Sequence, residues 1–97
     1  MNEMNINDFI WADSSLLDLK TDNLNHSLTL TIKDFREDRF LIIFDQINEL
    51  VINDPIYFME VKEVKLGDRF QIDFWDDEDL VLSFQYEKAR IINDINS

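Results

Sequence analysis

The chain has 97 residues, a formal net charge of −12, no cysteine, one histidine and one glycine, and its length predicts a single domain over residues 1–97, because domains run from about 50 to 250 residues. This composition excludes disulfides, zinc sites built on thiolates or several imidazoles, and glycine-rich phosphate-binding loops. The negative charge also disfavours nucleic acids and anionic membranes as partners.

The start of the chain carries no basic region followed by an apolar run, so no secretory signal is visible. No stretch approaches the about 20 apolar residues that a membrane-spanning helix needs. The sequence therefore favours a cytoplasmic protein.

The first half of the chain has a hydrophobic period of two, which is typical of strands with one buried face. Strands are predicted at residues 15–22, 27–35 and 39–45. The last is apolar on both faces, which predicts a central position in a sheet. Two segments, near residues 5–12 and 45–52, also show helical spacing and are open to either a short helix or a strand.

The second half continues the same alternation, with strands predicted at residues 55–64, 69–74 and 80–86. A change of parity between Val61 and Val64 predicts a β-bulge near Lys62 and Glu63. The predicted fold class is mainly β, with α+β left open: an antiparallel meander of about six strands forming a curved sheet or a small barrel. Residues 93–97 are predicted to be a frayed tail.

The stretch "FWDDEDL" closes the last hairpin. Directly opposed residues of a hairpin share a face, which predicts Phe74 opposite Leu80. Residues 75–79 then form a five-residue loop that begins at Trp75. Asp73 is predicted to lie on the solvent face of the same hairpin.

The acidic residues of this hairpin form the main candidate site. Residues 68–80 contain six acids and a single base, a formal charge of −5. Repulsion among these charges costs stability unless a partner uses them, although acids also protect strand edges from aggregation. A tryptophan among carboxylates suits an interface anchor for a basic partner. The candidate partner-binding residues are Asp68, Asp73, Trp75, Asp76, Asp77, Glu78 and Asp79.

Other chemistry is disfavoured for the same residues. The acidic run lacks the ligand spacing and turn glycine of a calcium loop, and carboxylates are too abundant for any pair to indicate acid–base catalysis. His26 is expected to be an exposed turn residue. The sequence therefore predicts no metal site, no cofactor and no enzyme activity.

Three segments carry a resemblance to a known group of proteins: "WADSSLL", "LTLTI" and "FQIDFWDDEDLVLSFQYEKARI". A small acidic, cysteine-free, β-rich chain with these segments resembles bacterial immunity proteins of polymorphic-toxin and contact-dependent growth inhibition systems. The resemblance implies an immunity protein that binds a cognate basic toxin domain and occludes its active-site cleft. The expected toxin is a nuclease. It assigns no functional residue, because those proteins share no common motif.

The sequence leaves two alternative functions open. One is a small acidic structural or adaptor module that dimerises through an exposed strand edge. The other is an inhibitor that mimics DNA, although such proteins usually spread their acids in a regular array along a whole face.

Overall fold

The computed structural model describes residues 3, 4, 9, 11–53 and 57–93. Over these residues the chain forms nine β-strands and no helix, and every paired strand is antiparallel. The predicted mainly β class is confirmed. The strands are β1 (Glu3–Met4), β2 (Ser15–Asp22), β3 (Ser27–Lys33), β4 (Arg39–Asp45), β5 (Asn48–Ile52), β6 (Glu60–Leu66), β7 (Arg69–Asp76), β8 (Asp79–Tyr86) and β9 (Lys88–Asn93).

The strand alternative is the correct one for the segment near residues 45–52, because β5 pairs there with β8. The other segment, near residues 5–12, lies mostly outside the described residues. Asn93, the first residue of the predicted tail, is paired with Phe40 at the end of β9, and residues 94–97 also lie outside the described residues.

The strands form two sheets, which we call sheet A, with the order β1-β9-β4-β3-β2, and sheet B, with the order β5-β8-β7-β6. Their facing sides bury one apolar core, as the alternation of apolar and polar residues predicts. Nearly all of its members come from the five inner strands: Leu28, Leu30, Ile32, Phe40, Ile42, Phe44, Ile72, Phe74, Val81, Leu82, Phe84, Tyr86 and Ile91, with Phe9 added from outside the strands.

The two sheets are continuous through a corner at which two neighbouring strands change sheet. β4 leads into β5 through Gln46 and Ile47, and β8 leads into β9 through Glu87 alone. The two bends lie side by side, because the Glu87 amide donates to the carbonyl of Asp45 at 3.1 Å. This corner produces the predicted curved sheet.

Arg69 of β7 ties the corner together from a third strand. Its Nη1 donates to Glu87 Oε2 at 3.0 Å, and its Nη2 donates to the carbonyl of Gln46. Beneath this link, the Phe44 ring contacts the rings of Phe84 and Tyr86, each at a centroid distance of 4.8 Å. The corner therefore brings aromatic rings of both sheets into edge-to-face contact.

The pairing of the edge strand β6 contradicts the predicted bulge. β6 pairs with β7 without a register shift, so the predicted bulge near Lys62 is wrong, and Val64 and Leu66 lie exposed on the outer face. Glu63 faces inward instead, because the Tyr86 hydroxyl donates a hydrogen bond to its Oε2. Burial, followed by this hydrogen bond, raises the pKa of Tyr86.

Most left-handed positions in the described chain carry a side chain, since the protein has one glycine. Gly67, in the β6–β7 turn, has a φ of 62°. Left-handed φ costs an ordinary L-residue about 1–2 kcal/mol, and Asn or Asp somewhat less. Six other residues have φ between 51° and 66°: Asp13, His26, Glu37, Gln46, Glu49 and Asp77.

Adjacent isoleucines on β4 test the assignment of faces. Ile42 is fully buried, whereas Ile43 is half-buried on the outer face of sheet A. Ile42→Ala should lower the free energy of unfolding by about 2–5 kcal/mol, because it leaves a cavity in the core, and Ile43→Ala should cost clearly less. Urea denaturation of both variants measures the difference, and equal losses would contradict this packing.

Candidate functional site: an acidic hairpin tip

The β7–β8 hairpin ends in a tighter turn than the sequence predicts. Trp75 lies opposite Leu80, and Asp76 lies opposite Asp79. Only residues 77–78 remain in the turn, so the prediction of a five-residue loop at residues 75–79 is wrong. Trp75 is a strand residue.

A β-bulge at Val81 explains the difference. Phe74 pairs with Leu82 and Trp75 with Leu80, so β8 has one extra residue between these two pairs. The bulge lets Val81 and Leu82 both be buried while Trp75 stays on the face opposite Phe74. Two consecutive apolar residues, Val81 and Leu82, were the signal in the sequence that could have indicated it.

The buried faces of this hairpin are nevertheless as predicted. Phe74 lies opposite Leu82 instead of the predicted Leu80, so its partner is displaced by two residues. A shift of two leaves each side chain on the same face.

The seven predicted partner-binding residues occupy separate places on this hairpin. Asp68 is in the β6–β7 turn, at the far end of β7, which is about 25 Å from the β7–β8 turn by the rise of an extended strand. Asp73 and Trp75 lie along the outer face of β7. The remaining four form the turn and its last ladder pair, and we call them the acidic tip: Asp76, Asp77, Glu78 and Asp79.

Asp73 belongs to a hydrogen-bond network on the outer face of sheet B. Its Oδ1 accepts from Ser83 Oγ at 2.6 Å and from Gln71 Nε2 at 3.1 Å. Gln85 Nε2 in turn donates to Gln71 Oε1 at 3.4 Å. Because Ser83 is only 4% exposed, the Asp73 carboxylate satisfies a buried hydroxyl, which is a structural role.

Trp75 stands at the base of the tip with one side of its ring covered. The Lys62 ammonium lies 5.9 Å from the ring centroid, in cation–π range. The indole Nε1 is buried and has no hydrogen-bond partner among the described residues. Trp75 therefore offers a partner part of its apolar surface, and Lys62 is a neighbour that the sequence did not indicate.

The acidic tip projects beyond the strands on both sides of the hairpin. On one side, the ladder with β6 ends at the pair of Glu60 with Trp75. On the other, the ladder with β5 ends at the pair of Ile52 with Leu82. Asp77, Glu78 and Asp79 are exposed and Asp76 is half-exposed, so the four carboxylates lie at the end of the hairpin, one ladder pair beyond the bonds that Asn53 and Met59 make to Leu80 and Trp75.

Carboxylates have a structural function in two other hairpin turns of this protein. In the β2–β3 turn, Asp22 Oδ2 accepts from Asn25 Nδ2 at 2.8 Å, and its Oδ1 accepts from the amides of Asn25 and Leu24 at 3.3 and 3.0 Å. These bonds, with the Asn25 side chain first, lower the pKa of Asp22.

The β3–β4 turn is built around Asp34 in the same way. Its Oδ1 accepts from the amides of Arg36 and Asp38, both at 2.9 Å. Asp34 is buried, and the Arg36 guanidinium lies 3.7 Å from its other oxygen. In both turns, acidic side chains close the backbone and satisfy its donors.

The four carboxylates of the acidic tip have no comparable structural role. Within residues 11–53 and 57–93, none of them accepts a hydrogen bond or forms an ion pair. The two that end the ladder, Asp76 and Asp79, lie directly opposite each other, an arrangement of like charges that destabilises a sheet. The fold therefore gains nothing from their charge.

A separate concavity lies on the outer face of sheet A, next to the corner. Its volume is about 700 Å³, and charges of both signs line it: Asn25, Ser27, Ile43, Asp45, Gln46, Glu87, Lys88 and Arg90. It includes no residue of the acidic tip. Within the described part of the chain, no group of three or more acidic or imidazole side chains has a geometry that could hold a metal ion.

No membrane-crossing helix occurs in the described ranges, since none there is long and apolar enough.

Comparisons with known proteins bear on the fold. No protein-family model matches the sequence, and no curated protein matches it. The structure is similar to the crystal structure of an uncharacterized protein from Neisseria gonorrhoeae, with a TM-score of 0.66 and 15% sequence identity over 94% of this chain and 97% of that chain. At this identity the similarity shows a shared fold.

Removing one of the opposed carboxylates should stabilise the free protein. Asp79→Asn should raise the free energy of unfolding by about 0.2–1 kcal/mol at low salt, because it relieves the repulsion across the last ladder pair. The gain should shrink at high salt, which screens exposed charges. Urea denaturation at both salt concentrations measures it. Asp68→Asn, the same change at the far end of β7, is the control, and an equal gain there would contradict local repulsion.

Proposed function

We propose that this protein is a cytoplasmic immunity protein that neutralises a cognate basic toxin domain, with a nuclease as the expected toxin, by occluding its active-site cleft with the acidic tip. The observation that carries the proposal is the four carboxylates that project from one hairpin without a hydrogen bond or an ion pair in the described residues. A cluster that costs the free protein stability is best explained by a partner that uses its charge.

The shape of the site supports a basic cleft as the target. The acidic tip is a two-residue turn with one ladder pair at the end of the β7–β8 hairpin, a compact convex group of charges that suits a concave surface. Carboxylates in that position would occupy the sites of substrate phosphates and pair with the lysine and arginine side chains that bind them. Trp75, at the base of the tip, would add apolar contact at the rim of the interface.

The net charge of −12 supports the same partner through long-range attraction. Opposite net charges steer two proteins together and can raise association rates to about 10⁸–10⁹ M⁻¹s⁻¹ at low salt. Fast association suits an inhibitor that must reach its toxin before the toxin reaches its substrate.

The proposal is tested with a basic toxin domain encoded beside the gene of this protein. The variant Asp76→Asn, Asp77→Asn, Glu78→Gln, Asp79→Asn should bind that domain more weakly by about 1–4 kcal/mol, roughly fivefold or more in Kd, since exposed ion pairs contribute about 0.2–1 kcal/mol each. The salt dependence of binding should also become shallower. Calorimetric titration at several salt concentrations gives both values.

A matched variant separates the site from the net charge. Asp13→Asn, Asp18→Asn, Glu37→Gln and Asp68→Asn remove the same number of charges at exposed positions elsewhere and should leave affinity nearly unchanged. Equal weakening by both variants would overturn the acidic tip as the site. A gene neighbourhood with no toxin, and no basic protein in co-purification, would favour the adaptor alternative instead.

A further inference from the structure

Two strongly exposed apolar side chains lie just before β6, beside the acidic tip. Tyr57 is 70% exposed and Met59 is 77% exposed. Among the large hydrophobic residues of the described chain, Leu24 alone is more exposed. Aromatic and methionine side chains are enriched in protein interfaces, so their exposure next to a group of unpaired charges points to an interaction surface.

Hydrogen bonding of the backbone places these two residues at the base of the tip. The Met59 amide donates to the carbonyl of Trp75 at 2.8 Å, and Trp75 is followed directly by Asp76, the first residue of the acidic tip. Tyr57 lies two residues before Met59, and two residues span at most about 7 Å. We call Tyr57, Met59 and Trp75 the apolar patch.

Phe58, between the two exposed residues, fixes this part of the chain to the protein. Its ring contacts the ring of Phe74 at a centroid distance of 5.2 Å and the ring of Trp11 at 6.1 Å. It therefore packs against the core from the end of β6. Because Phe58 is held in this way, the exposure of Tyr57 and Met59 is a property of the folded protein.

The apolar patch and the acidic tip together offer the two groups that arginine binds. A guanidinium is planar, donates two parallel hydrogen bonds to one carboxylate and stacks on aromatic rings. A lysine ammonium is a compact and strongly hydrated point charge, so it gains less from an aromatic surface. Carboxylates beside an exposed tyrosine therefore favour arginine over lysine.

The protein contains the same arrangement in its β3–β4 turn. There the Arg36 guanidinium lies 5.3 Å from the centroid of the Phe35 ring. It also lies 3.7 Å from a carboxylate oxygen of Asp34 and 3.7 Å from one of Asp38. An exposed aromatic ring and two carboxylates thus hold one arginine. At the acidic tip, carboxylates lie near aromatic side chains but form no ion pair within the described residues.

We propose that the apolar patch and the acidic tip bind arginine side chains of a basic partner, with Tyr57 stacking on the guanidinium and the tip carboxylates accepting its hydrogen bonds. The inference rests on the proposed function, which assigns the tip to a basic partner, and it adds which basic residue the partner presents. Met59 is an adaptable side chain that contacts the aliphatic part of the arginine. Selection of arginine distinguishes the cognate partner from proteins that are merely basic.

Two probe peptides of equal charge test the selection, namely acetylated and amidated tetra-arginine and tetra-lysine. Each is titrated at low salt into the isotope-labelled full chain and followed by NMR. Tetra-arginine should bind about two- to fivefold more tightly, which corresponds to one exposed cation–π contact, and it should shift the amide signals of residues 57–59 and 76–79. Equal affinities, or shifts that leave residues 57–59 unaffected, would overturn the proposal.

Variants of Tyr57 separate stacking from simple apolar contact. Tyr57→Leu removes the ring but keeps an apolar side chain, so it should lower the affinity for tetra-arginine to that for tetra-lysine. Tyr57→Phe should keep the preference. Leu24→Ser, at an exposed apolar residue of the β2–β3 turn, is the control and should change neither affinity. Thermal denaturation confirms that each variant is folded, and a preference that survives Tyr57→Leu would contradict the role of the ring.

Failure of this inference is distinguishable from failure of the proposed function. A toxin domain that depends on the acidic tip but binds the wild type and Tyr57→Leu equally would overturn the arginine contact and leave the proposed function standing. The peptides test arginine binding whether or not a toxin exists, so a gene neighbourhood without a toxin would contradict the proposed function alone.

Discussion

The rest of the structure depends on the corner at which β4 passes into β5 and β8 into β9. The pairing register is the same on both sides of the corner, so these two long segments join the inner strands β4 and β9 of sheet A to β5 and β8 at one side of sheet B. The corner sets the angle at which the apolar faces meet, and Arg69 holds it from the side of β7. Phe44 packs on rings from β8 at this point, so the corner is also part of the core.

Alternation of apolar and polar residues was enough to predict the fold class and most inner faces. It failed where a strand departs from strict alternation through a feature that has no strong local pattern. The bulge at Val81 made the hairpin loop shorter than predicted. In β6, the change of parity between Val61 and Val64 reflects a glutamate on the inner face and not the predicted bulge. Glu63 faces inward and accepts a hydrogen bond from Tyr86, 23 residues later, and a contact at that separation leaves no local trace in the sequence.

The candidate site, too, could be predicted only in part from the sequence. The sequence located the acidic run and its charge, since both are local properties. It could not separate carboxylates with a structural role from those without one, because that depends on partners across the sheet. Asp73, bonded to Ser83 on the next strand, and Asp68, at the far end of β7, look like their neighbours in the sequence. The structure leaves the acidic tip as the group whose charge is free for a partner.

The residues with a left-handed backbone have a consequence for which substitutions this protein tolerates. Glu37, Gln46 and Glu49 adopt φ values of 54–66°, although none is a residue type that favours this conformation. Replacing any of them by glycine or asparagine should raise the free energy of unfolding, because it would relax the backbone without altering the core. A substitution elsewhere in the chain that weakens the fold can therefore be offset by one at these positions.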